Sequence, residues 1–184
     1  MENIYLFILI ALVLLAFADL IVGVSNDAVN FLNSAIGSKV LSFKTLMIIA
    51  SLGVFVGCVY SSGMMEVARK GIFNPGEFLF NEIMIIFMAV MITDILILDL
   101  FNSWGLPTST TVSIVFELLG ASVAMALIKI GVDNGSFTDL ATYINTSKAT
   151  QIILGILLSV FVAFSIGAIV QWVSRLLLLS LIHI

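Results

Sequence analysis

Hydrophobic residues run along this chain in blocks of membrane length, broken by short polar stretches rather than alternating with them. At a rise of about 1.5 Å per residue, a helix needs roughly 20 mostly apolar residues to cross a bilayer. Five blocks meet or approach that length: Ile4 to Val24, Phe43 to Met65, Asn81 to Leu100, Ser109 to Ile130 and Thr150 to Leu179. The piece from Asp27 to Gly37 is only half a crossing. Between the second and third blocks, Glu66 to Glu77 contains Arg69, Lys70, Gly71, Asn74, Pro75 and Gly76, the charges and turn formers of an aqueous loop. Gly131 to Lys148 reads likewise. The pattern predicts an all-α membrane protein of about five hydrophobic helices, with residues 1–184 as one transmembrane domain and no soluble domain.

Two polar islands interrupt this pattern: Ser25-Asn26-Asp27-Ala28-Val29-Asn30, and Asn102-Ser103-Trp104-Gly105-Leu106-Pro107-Thr108-Ser109-Thr110-Thr111. Lipid offers no hydrogen-bond partners, so such side chains are expected to face a protein interior or a water-filled site. In the first island Gly23, Ser25, Asn26 and Asp27 predict a break in the first helix, followed by a short second piece. A break in mid-membrane exposes free carbonyls on one stub and free amides on the other, and the amide end carries partial positive charge. An anion binds there without arginine. Asn26 and Asn30 supply donors and acceptors, whereas Asp27 repels an anion unless a cation or proton accompanies it.

In the second island Pro107 stops the preceding conformation, and Ser109, Thr110 and Thr111 open the next helix with hydroxyls near its free amides. A purely structural reading stands beside this one: Ser109 caps the helix while Thr110 and Thr111 bond back to carbonyls. Asp99 and Asn102 border the island and join Asp27 as coupling-ion candidates. Asp94 and Asp99 lie about 140° apart on a regular helix and do not share a narrow site. Asp94 is expected to hydrogen-bond Thr93 or a neighbouring helix, and Asp19 to do the same on the first helix.

Composition excludes a soluble domain, with 61% hydrophobic residues, 10% charged residues and a mean hydropathy of +1.26. The net charge of −4 reflects local carboxylates rather than an acidic surface, because Asp19, Asp27, Asp94, Asp99 and Glu117 lie in or beside apolar stretches. The single Cys58 allows no internal disulfide and reads as core packing, and the one histidine, His183, leaves no material for a metal centre or a triad. Ser109 has no general base close in sequence, so no enzyme, no cofactor and no resident metal is expected. Small residues at Gly53 and Gly57, and at Ala163 and Gly167, predict close helix packing within the chain. Asn134-Gly135-Ser136 and Asn145-Thr146-Ser147 match the glycosylation triplet, a pattern common by chance. The apolar run after Glu2 exceeds a signal-peptide core and is expected to be a retained helix. Lys39, Lys44, Arg69, Lys70, Lys129 and Lys148 are spread over the connections and assign no orientation.

Three segments carry a resemblance: Asn26-Asp27-Ala28-Val29-Asn30 followed by Ser34 and Gly37-Ser38, then Arg69-Lys70-Gly71-Ile72, then Gly105-Leu106-Pro107-Thr108-Ser109-Thr110-Thr111. In order and spacing this closely resembles the first of the two inverted repeats of the inorganic phosphate transporter (PiT) family, over residues 23 to 120. The chain departs from the family pattern at Val24, Asn33, Val112 and Glu117. Glu117 reads either as part of a hydrogen-bonded network or as a coupling-ion or proton site. The resemblance implies an integral protein of the plasma (inner) membrane that carries inorganic phosphate together with sodium or protons. It implies that the segment of Asn26, Asp27 and Asn30 meets the segment of Ser109, Thr110 and Thr111 at a central substrate site, reached by the tip of a tilted or re-entrant helical hairpin. It also implies a second repeat, so the chain is expected to be partial, or else to pair with a second copy in antiparallel fashion. Phosphate, a sodium ion or proton and the lipid bilayer are the expected partners, with no nucleic acid. Charge alone argues for cotransport, since two like charges about 4 Å apart at an effective dielectric near 20 repel by about 4 kcal/mol. A transporter of another oxyanion such as sulfate, or a membrane subunit without its own transport cycle, are the competing expectations.

Overall fold

The computed structural model describes residues 2–62, 66, 71–133 and 135–182. The expectations placed on Met65, Arg69, Lys70, Asn134 and His183 lie outside the described residues. Among the described residues six α-helices appear in order: α1 (Glu2–Ser38), α2 (Phe43–Val59), α3 (Phe80–Trp104), α4 (Thr110–Val132), the single turn α5 (Leu140–Tyr143) and α6 (Thr146–Ile182). Four stretches are long and apolar enough to cross a membrane: Ile4–Ser38, Phe80–Trp104, Thr110–Val132 and Thr146–Leu178. The protein is an all-α integral membrane protein. With 17 residues, α2 is about 25 Å long, short of a hydrocarbon core of about 30 Å.

The expected break in the first helix does not occur, because α1 runs unbroken from Glu2 to Ser38 through the polar island. The physical reason is local. Ser25 returns its hydroxyl to the carbonyl of Ile21 at 2.7 Å, and the side chains of Asn26, Asp27 and Asn30 find partners on α3, α4 and the turn between them. Polar residues thus pass through the membrane on one face of a regular helix, and α1 contributes no free amide end at Asp27.

Helices α3 and α4 form an antiparallel hairpin whose seam is read directly from four-residue spacing. Met84, Ile86, Val90, Asp94 and Leu98 of α3 and Val115, Leu118, Ser122, Ala126 and Ile130 of α4 are the buried residues of the two helices. Ser122 and Ala126 are small enough to let the backbones approach. The Ser122 hydroxyl is satisfied by the carbonyl of Leu118 at 2.6 Å. Along this hairpin lies α1, with Tyr5 beside Phe80 near one end and Asn26 beside Asn102 at the other.

The two connections read as aqueous loops are partly buried instead. Ile72 and Phe73 are each 1% exposed, and the segment around them pairs with the connection after α4. Asn74 donates its backbone amide to Tyr143 at 2.8 Å, and Asn145 returns one to Ile72 at 2.9 Å. Apolar side chains flanking the turn residues supply what the turns lack. Lys129 closes the same end through Glu82 at 2.9 Å, lying over the rings of Phe78 and Tyr143.

Cys58, expected in a core, is exposed, and a β-carbon added to Gly53 or Gly57 would meet nothing within 4 Å. The small face of α2 is therefore open rather than packed. Helix α6 belongs to a second unit, Ser147 onward, and is a continuous apolar helix to Ile182.

Candidate functional site

Gly105 ends α3 in the left-handed conformation, φ 68°, where glycine pays no β-carbon penalty. The amides of Gly105 and Leu106 fold back onto the carbonyls of Asn102 and Phe101 at 3.1 and 2.9 Å. This reversal stops the helix before Pro107, the residue expected to stop it, and directs the backbone of Thr108 toward α1. Ser109 then caps α4: its hydroxyl accepts from the amide of Val112 at 3.4 Å and its carbonyl from Ser113 at 3.0 Å. The first amides of α4 stand at the free end of the helix, with its partial positive charge.

Asn26 locks this tip to α1. Its side-chain amide donates to Asn102 Oδ1 at 2.7 Å, while its Oδ1 accepts the backbone amide of Thr108 at 2.9 Å. Asn102 in turn donates to the carbonyl of Val22 at 3.3 Å, and Asn30 to the carbonyl of Thr108 at 3.1 Å. Asn26 is 1% exposed, so both ends of a buried amide are satisfied, as a buried polar group requires. Next to it the Thr110 hydroxyl donates to Asp27 Oδ2 at 2.9 Å rather than back-bonding to a carbonyl. No lysine or arginine pairs with Asp27 among the described residues.

Where the family pattern has glycine, Val24 is 47% exposed and turned away from the tip. The close approach is made one residue earlier. A β-carbon on Gly23 would lie 3.8 Å from both Leu98 and Thr110.

Of the residues selected from sequence, Asn26, Asp27, Asn30, Asn102 and Thr110 are brought together, with Ser109 as the cap beside them. Thr111 and Asp99 are exposed and make no side-chain hydrogen bond among the described residues. Two hollows meet at the junction. One of about 110 Å³ is lined by Asn26, Val29, Asn102, Gly105, Leu106 and Pro107; a more open one of about 450 Å³ is lined by Val29, Asn30, Asn33, Ser34 and Pro107. Asn33 and Ser34 escaped selection from sequence. The signal was present: with Asn26 and Asn30 they follow the three- and four-residue spacing of one helix face, which only an unbroken α1 preserves.

Comparison with known proteins places this geometry. A model of the phosphate transporter family matches residues 23–183, which begins at the close approach and includes both islands. The chain belongs to the phosphate transporter family. It is 28% identical over 137 residues to a protein of Thermococcus kodakarensis provisionally named a phosphate permease, covering 73% of this chain and 30% of that protein. Similar proteins under the same provisional name occur in Pyrococcus furiosus, 30% identical over 118 residues (63% of this chain, 29% of that protein), and Helicobacter pylori, 30% over 105 (55% and 20%). The chain thus spans less than a third of the length of the relatives it matches. No solved structure matches it. The site that falls within this match is built of amides and hydroxyls around one carboxylate.

Proposed function

We propose that this chain forms part of a carrier for inorganic phosphate, and that it supplies one wall of the substrate site at the junction of α1 with the α3–α4 tip. One observation carries the reading: the amino end of α4, capped by Ser109, is clamped beside Asp27 by the hydrogen bonds of Asn26 with Asn102 and Thr108. Free amides at a helix start favour an oxyanion. Asp27 opposes one, because a carboxylate about 4 Å from a phosphate oxygen costs about 4 kcal/mol at an effective dielectric near 20. A sodium ion or proton arriving with phosphate removes that cost, which makes symport the mode of transport this site favours. Asn102 sits on the clamp and Asp99 on the exposed side of α3, so Asp27 is the carboxylate best placed to receive the cation. An inverted second repeat, or a second copy, supplies the opposite wall in this scheme.

Uptake of labelled phosphate by the whole protein in proteoliposomes tests this. Saturable uptake driven by an imposed sodium or proton gradient is the expected result, with phosphate competing better than sulfate. Uptake that neither gradient stimulates defeats the symport reading, and stronger competition by sulfate moves the substrate to that anion.

A further inference from the structure

A second polar cluster lies along the same three helices, away from the substrate junction. Asp19 on α1 and Glu117 on α4 each bring a carboxyl group into hydrogen-bonding reach of the Asp94 carboxyl on α3. Asp94 is 2% exposed. Three oxygens in this cluster, Asp19 Oδ1, Asp94 Oδ1 and Glu117 Oε2, are buried and find no donor among the described residues. The Ser113 hydroxyl nearby is spent on Glu117 Oε1 at 2.7 Å.

Acceptor therefore faces acceptor, and the missing component is a donor. We infer that Asp19, Asp94 and Glu117 form a proton-binding site inside the bundle, its protons shared between Asp94 and the carboxyls on either side.

Ionised carboxylates accept only, so direct carboxyl-to-carboxyl hydrogen bonds require at least one bound proton. Among the described residues, no basic side chain acts on Asp19 or Glu117. The groups acting electrostatically on Asp19 and Glu117 are other members of the cluster. Of the remaining ionisable groups on the packed helices, Asp27 is held by Thr110, Asp99 is exposed, Glu82 and Lys129 pair with each other, and Lys44 and Cys58 of α2 are exposed. Tyr5 lies at the Phe80 end of α1. A metal ion fits less well: among the described residues, no group of three or more Asp, Glu, His or Cys is arranged to hold one.

The cluster is separate from the substrate junction. Asp19 precedes Asn26 by seven residues and Glu117 follows Thr110 by seven, about 10 Å along each helix axis. Between the two, fully buried Leu98 and the methyl of Thr110 lie 3.8 Å from where a β-carbon on Gly23 would stand. Because each carboxyl comes from a different helix, proton occupancy is linked to how α1 sits on the hairpin.

Infrared difference spectroscopy of the whole protein in lipid tests this without phosphate, so its failure is distinct from failure of the transport reading. The expected spectrum holds a protonated-carboxyl stretching band that shifts on deuterium exchange and is lost reversibly as the pH is raised. That band should be lost or markedly weakened in both Asp94→Asn and Glu117→Gln. Absence of the band from the unmodified protein overturns the proposal and needs no variant. Its persistence at full strength in either variant, or its removal by sodium at constant pH, overturns it equally.

Discussion

The two ends of the α3–α4 hairpin are built from opposite materials. At the end near Phe80, the rings of Phe73 and Phe78 meet edge to face at 5.6 Å, Tyr143 packs on Phe78, and Lys129 is matched by Glu82. At the tip there is no ring pair and no ion pair among the described residues; asparagines, hydroxyls and backbone amides hold α1, and Asp27 is left without a basic partner. Matched charge and packed rings fix a structure. Unmatched charge among rearrangeable hydrogen bonds leaves work for a ligand. The first end thus reads as the anchor of the hairpin, and under the proposed function the second is its binding end, so substitutions at the two should fail in different ways.

The largest effect is expected from Asp27→Asn. Asparagine keeps the shape and an acceptor for the Thr110 hydroxyl but removes the charge that calls for a cation. The interaction at stake, about 4 kcal/mol, corresponds to nearly three orders of magnitude in an equilibrium constant. Cation-driven phosphate uptake should fall to background, while phosphate binding measured without sodium or a proton gradient should persist. Undiminished gradient-driven uptake in this variant removes Asp27 from coupling and weakens the contrast between the ends.

Asn26→Ala should have the next largest effect. It leaves the half-buried amide of Thr108 and the exposed Oδ1 of Asn102 without their partners, and each lost hydrogen bond costs about 0.5–1.5 kcal/mol. The tip then loses its fixed position against α1, and the KM for phosphate should rise by about tenfold or more. Asn102→Ala should raise it less, because Asn102 is exposed and its bond to Val22 is long at 3.3 Å. Uptake kinetics for the two variants side by side check the ranking; equal effects would show that the clamp does not run through Asn26.

Much of this is legible in the chain alone. Apolar length locates α3 and α4 to within a few residues, and the proline, serine and threonines announce the start of α4, because caps and turns are decided by neighbours in sequence. What misleads is the first island. A run of Ser25, Asn26 and Asp27 in hydrocarbon looks like a break only if those side chains have no partners, and the partners of Asn26 and Asp27 lie 75 or more residues away on the hairpin. The same blindness hides the carboxyl cluster: sequence offers a network or a proton site for Glu117 and a neighbouring helix for Asp94 and Asp19, but not that the three carboxyls belong together. It also hides the anchor, where turn residues suggest water but Ile72 and Phe73 are buried. Spacing within one helix is written locally; pairing between helices is not.

The smallest effect is expected at the anchor, from Lys129→Ala. The Lys129–Glu82 pair is partly exposed, with side chains 20% and 16% accessible, so its contribution is discounted toward that of a surface pair. Adding the contact with the Phe78 and Tyr143 rings gives a loss of about 1 kcal/mol and a fall of a few degrees in the melting temperature. Phosphate KM should not change, because the substitution sits at the opposite end of α4 from Ser109. Thermal unfolding in lipid together with uptake kinetics separates the two quantities. A variant that melts at the native temperature but shifts KM as far as Asn26→Ala would mean that the ends are mechanically coupled along α4, and that anchor and binding end are one device rather than two.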